Sequence, residues 1–297
     1  MLRIPFLGEL LSLTAALAWA IGVILFRKTG DRIPAVALNL FKNAVTVVLL
    51  LVTLLVAGTP LLPDRPRSDW LLLAGSAWLG ISLADTLFFL ALEKLGAGLV
   101  AIVDTLYSPA VIALSVLFLG ERVGLQVLAG ACLVVGAILV GTAERPAPGR
   151  TRRDVVEGAA IGAVAIVCMA GGIVMVKNVL GGVPVLWAAG VRMFFGLVGL
   201  LPLLLFARWR NDAVAMFRPG RVWAVAIPGS VLGTYVSMTA WLGGFKYTLA
   251  SVAAVLNQLS TIFIIVLAAI FLKEPMTRRR ILAVVMAIGG AVLVTLR

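Results

Sequence analysis

Lys42, Asp85, Asp104 and Arg192 each stand inside a long apolar stretch, and they are the groups in this chain best equipped to do chemistry. A charge near the centre of a bilayer costs about 2.5–3.5 kcal/mol on insertion scales, so four of them call for a use. In the first half two carboxylates face one lysine, which leaves an acid over. Such a carboxylate could take up and release a proton near neutral pH, as proton-coupled exchange requires, or hold an ammonium group on a solute. The plainer alternative is assembly alone, with Lys42 neutralising one aspartate and Arg192 bonding backbone carbonyls.

Uncharged groups suited to a binding site accompany these charges. Asn257 and Gln258 lie in an apolar stretch of the second half, and Trp19, Tyr107, Tyr235 and Trp241 offer rings with a polar edge on which a solute or a cation could stack. Other chemistry is poorly provided for. The chain has no histidine, and its two cysteines, Cys132 and Cys168, each fall in an apolar run. A zinc site or a histidine-based nucleophile is therefore not expected, and the cysteines read as small buried hydrophobes. No Gly-x-x-x-x-Gly-Lys-Ser/Thr phosphate loop occurs, which argues against ATP hydrolysis. An aspartyl enzyme would need Asp85 and Asp104 to share a proton at about 3 Å. The expectation is no enzyme activity, no cofactor and no metal.

Composition says what must position these residues. Of 297 residues, 62% are hydrophobic and 13% are charged, against about 45–50% and 25% in a soluble domain. The net charge of +12 comes from short clusters between apolar runs, such as Arg150, Arg152 and Arg153 or Arg278, Arg279 and Arg280. That is the distribution of membrane-helix flanks touching lipid phosphates, not of a nucleic-acid surface. Taking about 20 residues to cross a bilayer, spans are expected near 8–27, 34–57, 70–92, 97–119, 123–142, 156–176, 184–207, 222–244, 248–272 and 279–296. The apolar run from Leu7 is read as the first span and not as a signal peptide. All ten should be helical, because lipid offers no partner to an unpaired backbone group. Trp70 and Trp223 open the third and eighth spans as interface anchors. Pro109, Pro202 and Pro228, inside spans, are candidate kinks or hinges.

Residues 143–155 have the composition of a linker and divide the chain into halves, 1–142 and 156–297. The halves resemble each other. A shift of 153 brings Leu117-Phe-Leu-Gly-Glu121 onto Ile270-Phe-Leu-Lys-Glu274 and Asp104 onto Asn257, while a shift of 150 brings Gly22 onto Gly172, Pro34 onto Pro184 and Lys42 onto Arg192. Five spans per copy make the second copy enter from the opposite face, an inverted repeat of the kind found in secondary transporters.

The stretch Ala91-Leu-Glu-Lys-Leu-Gly-Ala-Gly-Leu-Val100, Pro109, the exit Leu119-Gly-Glu121 and its counterpart Leu272-Lys-Glu274 resemble the drug/metabolite transporter superfamily in its EamA-type ten-helix branch. The resemblance implies an all-α integral membrane protein, a ten-helix basket in a bacterial inner membrane. Its cavity would be lined by the first, third, fourth, sixth, eighth and ninth spans and worked by alternating access. Lys42 and Arg192 would then sit on peripheral helices. Where the first copy has Pro109, the second has Ile262.

At 1.5 Å per residue Lys42, Asp85 and Asp104 each lie roughly 10–12 Å in from one face, and Arg192 lies roughly 12 Å in from the other, level with Asn257 and Gln258. Equal depth allows Lys42 and Asp85 to pair. Glu9 reads as an interfacial anchor, and Glu121 and Glu274 as ties between loops. The expected function is export of a small polar or amphipathic metabolite, coupled to protons or driven by the substrate gradient, with membrane lipids as surroundings. The alternative is a lipid or lysolipid flippase, with Lys42 and Arg192 drawing a phosphate headgroup through both leaflets. Loops on one side carry 16 Lys or Arg and those on the other, with the termini, 7. By the positive-inside rule this favours termini outside, whereas the resemblance implies termini inside.

Overall fold

The computed structural model describes residues 6–30, 33–119, 125–142, 151–247 and 250–295, and every regular element among them is helical. In the first half these are α1 (Leu7–Gly30), α2 (Ala35–Val56), α3 (Arg67–Ala77), α4 (Ala84–Leu95), α5 (Ala97–Asp104), α6 (Tyr107–Leu119) and α7 (Leu125–Thr142). The second half continues with α8 (Arg152–Leu180), α9 (Val185–Leu200), α10 (Ala207–Phe217), α11 (Trp223–Ser230), α12 (Ser237–Tyr247), α13 (Ala250–Phe271) and α14 (Arg278–Thr295).

Among the described residues, six helical runs are long and apolar enough to cross a bilayer: Leu7–Thr29, Ala35–Val56, Arg67–Leu95, Arg152–Val176, Val185–Leu205 and Trp223–Gly244. Shorter apolar helices follow at Ala97–Val111, Cys132–Gly141 and Leu256–Phe271. The outward faces are as apolar as the interior: Leu51, Val52, Leu55, Val164, Phe194, Leu282 and Val285 are all exposed. A surface of that kind suits lipid and not water. Cys132 belongs to it, for it is exposed, and Cys168 is only partly buried, so the expected burial of both cysteines is corrected; both are free thiols.

Local sequence explains the helix starts. Pro34 and Pro184, related by the 150-residue shift, each stand in extended conformation just before a helix, where a missing N–H removes nothing. Thr151 and Asp154 form a reciprocal capping box that opens α8, so this helix begins at Arg152, four residues ahead of the expected span. The last of the expected linker is therefore already helical.

Three irregularities lay beyond the reach of apolar patterning. First, α3 joins α4 through a π-helical turn at Trp78–Leu83, and α11 joins α12 through another at Val231–Val236. The two are related by the 153-residue shift, so the device is duplicated with the repeat. Second, the fourth span breaks between α5 and α6 at Thr105 and Leu106, ahead of Pro109. That proline sits in the first turn of α6, where no helical bond is lost, whereas the related α13 runs unbroken. Third, Pro202 is not inside an α-helix but opens a 3-10 turn, Leu201–Leu205, after which α10 lies as a separate helix. Pro228 does lie inside α11, just before the π turn.

The helices of the two halves interlock. α1 packs on α11, α12 and α13, and α8 packs on α3, α4, α5 and α6, while α7 and α14 pair with each other away from the centre. Small residues let the backbones meet, as expected in lipid. A Cβ on Gly233 would lie 2.6 Å from the Gly22 Cα, and one on Gly172 would lie 3.0 Å from the Gly80 Cα. Gly22 corresponds to Gly172 and Gly80 to Gly233 under the repeat shifts, so the same crossing is built twice, once with each half supplying the π-turn glycine.

Candidate functional site

A cavity of about 160 Å³ lies between the halves. It is lined by Ala15, Ala16 and Trp19 of α1, Lys42 of α2, Gly80 and Ile81 of the first π turn, Asp85 of α4, Asp104 of α5 and Tyr107 of α6. The second half contributes Met169 and Ile173 of α8, Arg192 and Met193 of α9, Gly233 and Thr234 of the second π turn, Ser237, Met238 and Trp241 of α12, and Asn257, Gln258 and Ser260 of α13. Of the site residues read from sequence, Lys42, Asp85, Asp104, Arg192, Asn257, Gln258, Tyr107, Trp19 and Trp241 meet here. Tyr235 does not. Its hydroxyl is 2.7 Å from Thr53 Oγ1, a bond that ties the second π turn to the end of α2.

Two of those residues arrive from an unexpected direction. The family resemblance puts the second and seventh spans at the periphery, yet Lys42 and Arg192 are 1% and 4% exposed and both line the cavity. Long, flexible side chains reach inward from helices that sit one layer out.

The first of them is fully partnered. Lys42 Nζ donates to Asp85 Oδ2 at 2.6 Å and to Asn43 Oδ1 at 3.1 Å, and it stands 5.7 Å from the centre of the Phe89 ring. Asn43 Nδ2 in turn donates to Asn39 Oδ1, and Asn39 Nδ2 to the Ile81 carbonyl at 3.2 Å and to Thr86 Oγ1 at 2.8 Å. Ser82 Oγ donates to the Gly196 carbonyl at 2.7 Å. A π turn shifts backbone bonding away from the α-helical register, and Asn39 and Ser82 brace this one from both sides. Sequence reading passed over Asn39 and Asn43. The signal available was their spacing, one turn apart and flanking Lys42 on an otherwise apolar helix.

The second is only partly satisfied. Arg192 Nε and Nη1 are buried and make no hydrogen bond, and the same is true of Asn257 Nδ2 and Thr234 Oγ1. Asp104, at the end of α5 where the fourth span breaks, makes no ion pair among the described residues. Asp85 has Lys42 for its partner, so Asp85 and Asp104 are not arranged as a carboxylate pair around one proton. No group of three or more potential metal ligands occurs among the described residues.

At one membrane edge Glu274 caps the start of α5, accepting from the Ala97 and Gly98 N–H groups at 2.8 and 3.1 Å, and Arg280 Nη1 donates to it at 3.1 Å. Lys94 bridges to Asp154 at 3.6 Å and to Glu157 at 3.1 Å on the same side. Glu274 thus ties loops as expected, and Glu121 lies outside the described residues. On the other side Arg65 bonds the Gly182 carbonyl and Trp187 Nε1 the Leu61 carbonyl at 3.0 Å. Trp70 stacks edge-on against Trp187 with ring centres 5.2 Å apart, and Trp223 Nε1 donates to the Met216 carbonyl at 2.8 Å.

Comparison with known proteins agrees with the architecture. A solved structure titled "Crystal structure of protein" covers 97% of this chain and 96% of its own with a TM-score of 0.70, at 19% identity, a likeness of fold. Protein PecM of Dickeya dadantii (strain 3937) is 26% identical over 219 residues, 73% of this chain and 70% of PecM. The profile described as "EamA-like transporter family" matches twice, at residues 6–142 and at 156–296. The chain belongs to the EamA-like transporter family, multi-pass membrane proteins that carry small molecules.

Proposed function

We propose that the chain is a secondary exporter of a small polar or amphipathic metabolite, built on ten spans in two inverted five-helix halves, 1–142 and 156–297, and worked by alternating access. The observation that carries this reading is the cavity itself. It is formed jointly by the two halves, it mixes apolar and aromatic walls with a few polar groups, and it holds an acid, Asp104, that makes no ion pair among the described residues. Pockets of this make-up bind small solutes, and a site between repeats near the midplane is where a rocking motion can expose it to either side.

Asp104 is the proposed coupling residue. It sits where the fourth span is interrupted, so backbone and side chain there can respond to what occupies the cavity. Lys42 and Asp85 neutralise each other and serve as a fixed wall. The duplicated π turns at Trp78–Leu83 and Val231–Val236 are the proposed flexing points, since such bulges interrupt regular bonding without ending the helix.

The flippase alternative rested on one positive residue in each leaflet. Lys42 and Arg192 instead line one cavity, and Lys42 is already paired, which favours a soluble solute over a lipid headgroup. Purified protein in liposomes loaded with amino acids, organic cations and nucleosides tests the proposal. Protein-dependent efflux of at least one of them, faster with an imposed pH gradient, is expected. If none of them moves and no gradient alters flux, the reading fails.

A further inference from the structure

The repeat shifts that relate Lys42 to Arg192 also relate Asp85 to Met238. Both halves therefore put a cation in the cavity wall, but among the described residues only Lys42 has an acid in contact; Asp85 acts on Arg192 across the cavity without pairing with it. In the first half the counter-ion is 2.6 Å away. In the second, methionine stands at the corresponding position in the sequence, and Met238 lines the same cavity as Arg192.

An arginine that is 96% buried with two nitrogens unbonded is costly unless something completes it. Asn257 Nδ2, a donor, and the Thr234 hydroxyl, on other walls of the same cavity, are also buried without a partner. Unbonded polar atoms in a native interior are uncommon, and four of the seven found among the described residues line this one space. What they lack is an acceptor-rich group bearing negative charge, and the guanidinium fork is the side chain best matched to an oxyanion. Trp19, Trp241, Met169 and Met193 offer the rest of the occupant an apolar and aromatic wall.

We infer that Arg192 is the receptor for an oxyanion, a carboxylate or phosphate group, carried by the transported solute, with Asn257 as a further donor; this rests on the transporter reading above. The solute takes the place in the second half that Asp85 holds in the first. Recognition is one-sided because the duplicated acid is missing. With the oxyanion bound, the unbonded nitrogens of Arg192 gain a contacting acceptor that the empty cavity does not give them. Asp104 stays free for coupling. No covalent change in the solute is involved.

Liposomes loaded with an aqueous cell extract, with efflux followed by mass spectrometry, supply the test. Wild-type protein is expected to release solutes that bear a carboxylate or phosphate, in preference to amides and amines of similar size. Two variants sharpen it: Arg192→Gln removes the receptor, and Met238→Asp gives Arg192 the internal partner that Lys42 already has. Each should slow release of the acidic solutes at least tenfold, and Met238→Asp should do so in a protein at least as heat-stable as wild type. Release confined to neutral or cationic solutes would overturn the inference and leave the transporter reading standing, as would undiminished acidic efflux in both variants. Acceleration of a labelled phospholipid headgroup in the same vesicles, without solute release, would overturn it in favour of a lipid. No release of any kind would remove the transporter reading and the inference together. The wild-type release profile needs no variant to fold.

Discussion

Two cations at equivalent places in the repeat have opposite surroundings. Lys42 is held by Asp85 and Asn43, and behind them Asn43 and Asn39 run back to the π turn at Ile81. Arg192 has Met238 where Lys42 has Asp85, Ala189 where the first half has Asn39, and Met193 where it has Asn43. A duplicated scaffold has thus been turned to two tasks. In the first half polar side chains satisfy one another and brace a helix that departs from regular bonding. In the second those side chains have become apolar, and the remaining cation lines the cavity with two of its nitrogens unbonded among the described residues. Symmetry of the backbone and asymmetry of the polar groups are what let one cavity hold a rigid wall and a receptive one.

The largest stability effect expected from this contrast is at Lys42. Lys42→Met strands Asp85, and removing one partner of a buried pair costs about 3–5 kcal/mol. Asp85→Met costs a similar amount, and the double variant costs less than the sum of the two. By contrast, Arg192→Met breaks no contacting ion pair among the described residues, loses only the longer-range attraction of Asp85, and should leave the empty protein close to wild type in stability. Thermal unfolding in detergent with no solute present checks both. Equal losses at Lys42 and Arg192 would erase the distinction, and additive losses at Lys42 and Asp85 would show that the pair carries no energy.

A second contrast concerns the π-turn glycines. A Cβ at Gly233 meets the Gly22 backbone at 2.6 Å, whereas a Cβ at Gly80 finds Arg192 Nη2 at 3.5 Å and the Gly172 Cα at 3.6 Å, ordinary contact distances. Gly233→Ala should therefore cost about 1–3 kcal/mol through overpacking, and Gly80→Ala should fall within about 0.5 kcal/mol of wild type. The same unfolding measurement ranks them, and a reversed order would mean the two crossings are not packed as described.

Much of this architecture was legible beforehand because lipid imposes simple rules. Apolar run lengths give an all-helical membrane fold, with six of the expected spans present among the described residues as helices long and apolar enough to cross. The shifted matches, Lys42 on Arg192 and Gly22 on Gly172, accompany the two family matches. Depth arithmetic at 1.5 Å per residue placed Lys42 level with Asp85, and they stand 2.6 Å apart. What hydropathy does not encode is a change of helical register. The π turns are as apolar as the helices they join, and the break at Thr105 and Leu106 precedes the proline that drew attention. Nor does hydropathy say how far a long side chain reaches, so the helices of Arg192 and Lys42 read as peripheral by resemblance although both residues were candidates for the site. Tyr235 looked like a wall residue because depth was right, but its hydroxyl turns to Thr53.

The smallest effect is at the edge of the bundle. Glu274 gives the start of α5 two acceptor contacts and is itself held by Arg280. Glu274→Gln should lose the charge-assisted part of that cap and cost about 1 kcal/mol. The loss should be visible as a small drop in melting temperature, with binding in the cavity unchanged, so a change in solute affinity would mean the two ends of α5 communicate.

The central claim is that the cavity is the route and Asp104 couples it to protons. Asp104→Asn keeps the size and hydrogen bonding of the side chain but cannot exchange a proton. In liposomes with an imposed pH gradient, wild-type protein should accumulate its solute against a concentration difference. The Asp104→Asn variant, equally folded by size-exclusion and melting, should only equilibrate it, at every pH from about 5 to 9, a range that lies above the ordinary titration of free carboxylates and takes in neutral pH. Wild-type accumulation by the variant across that range would contradict the account.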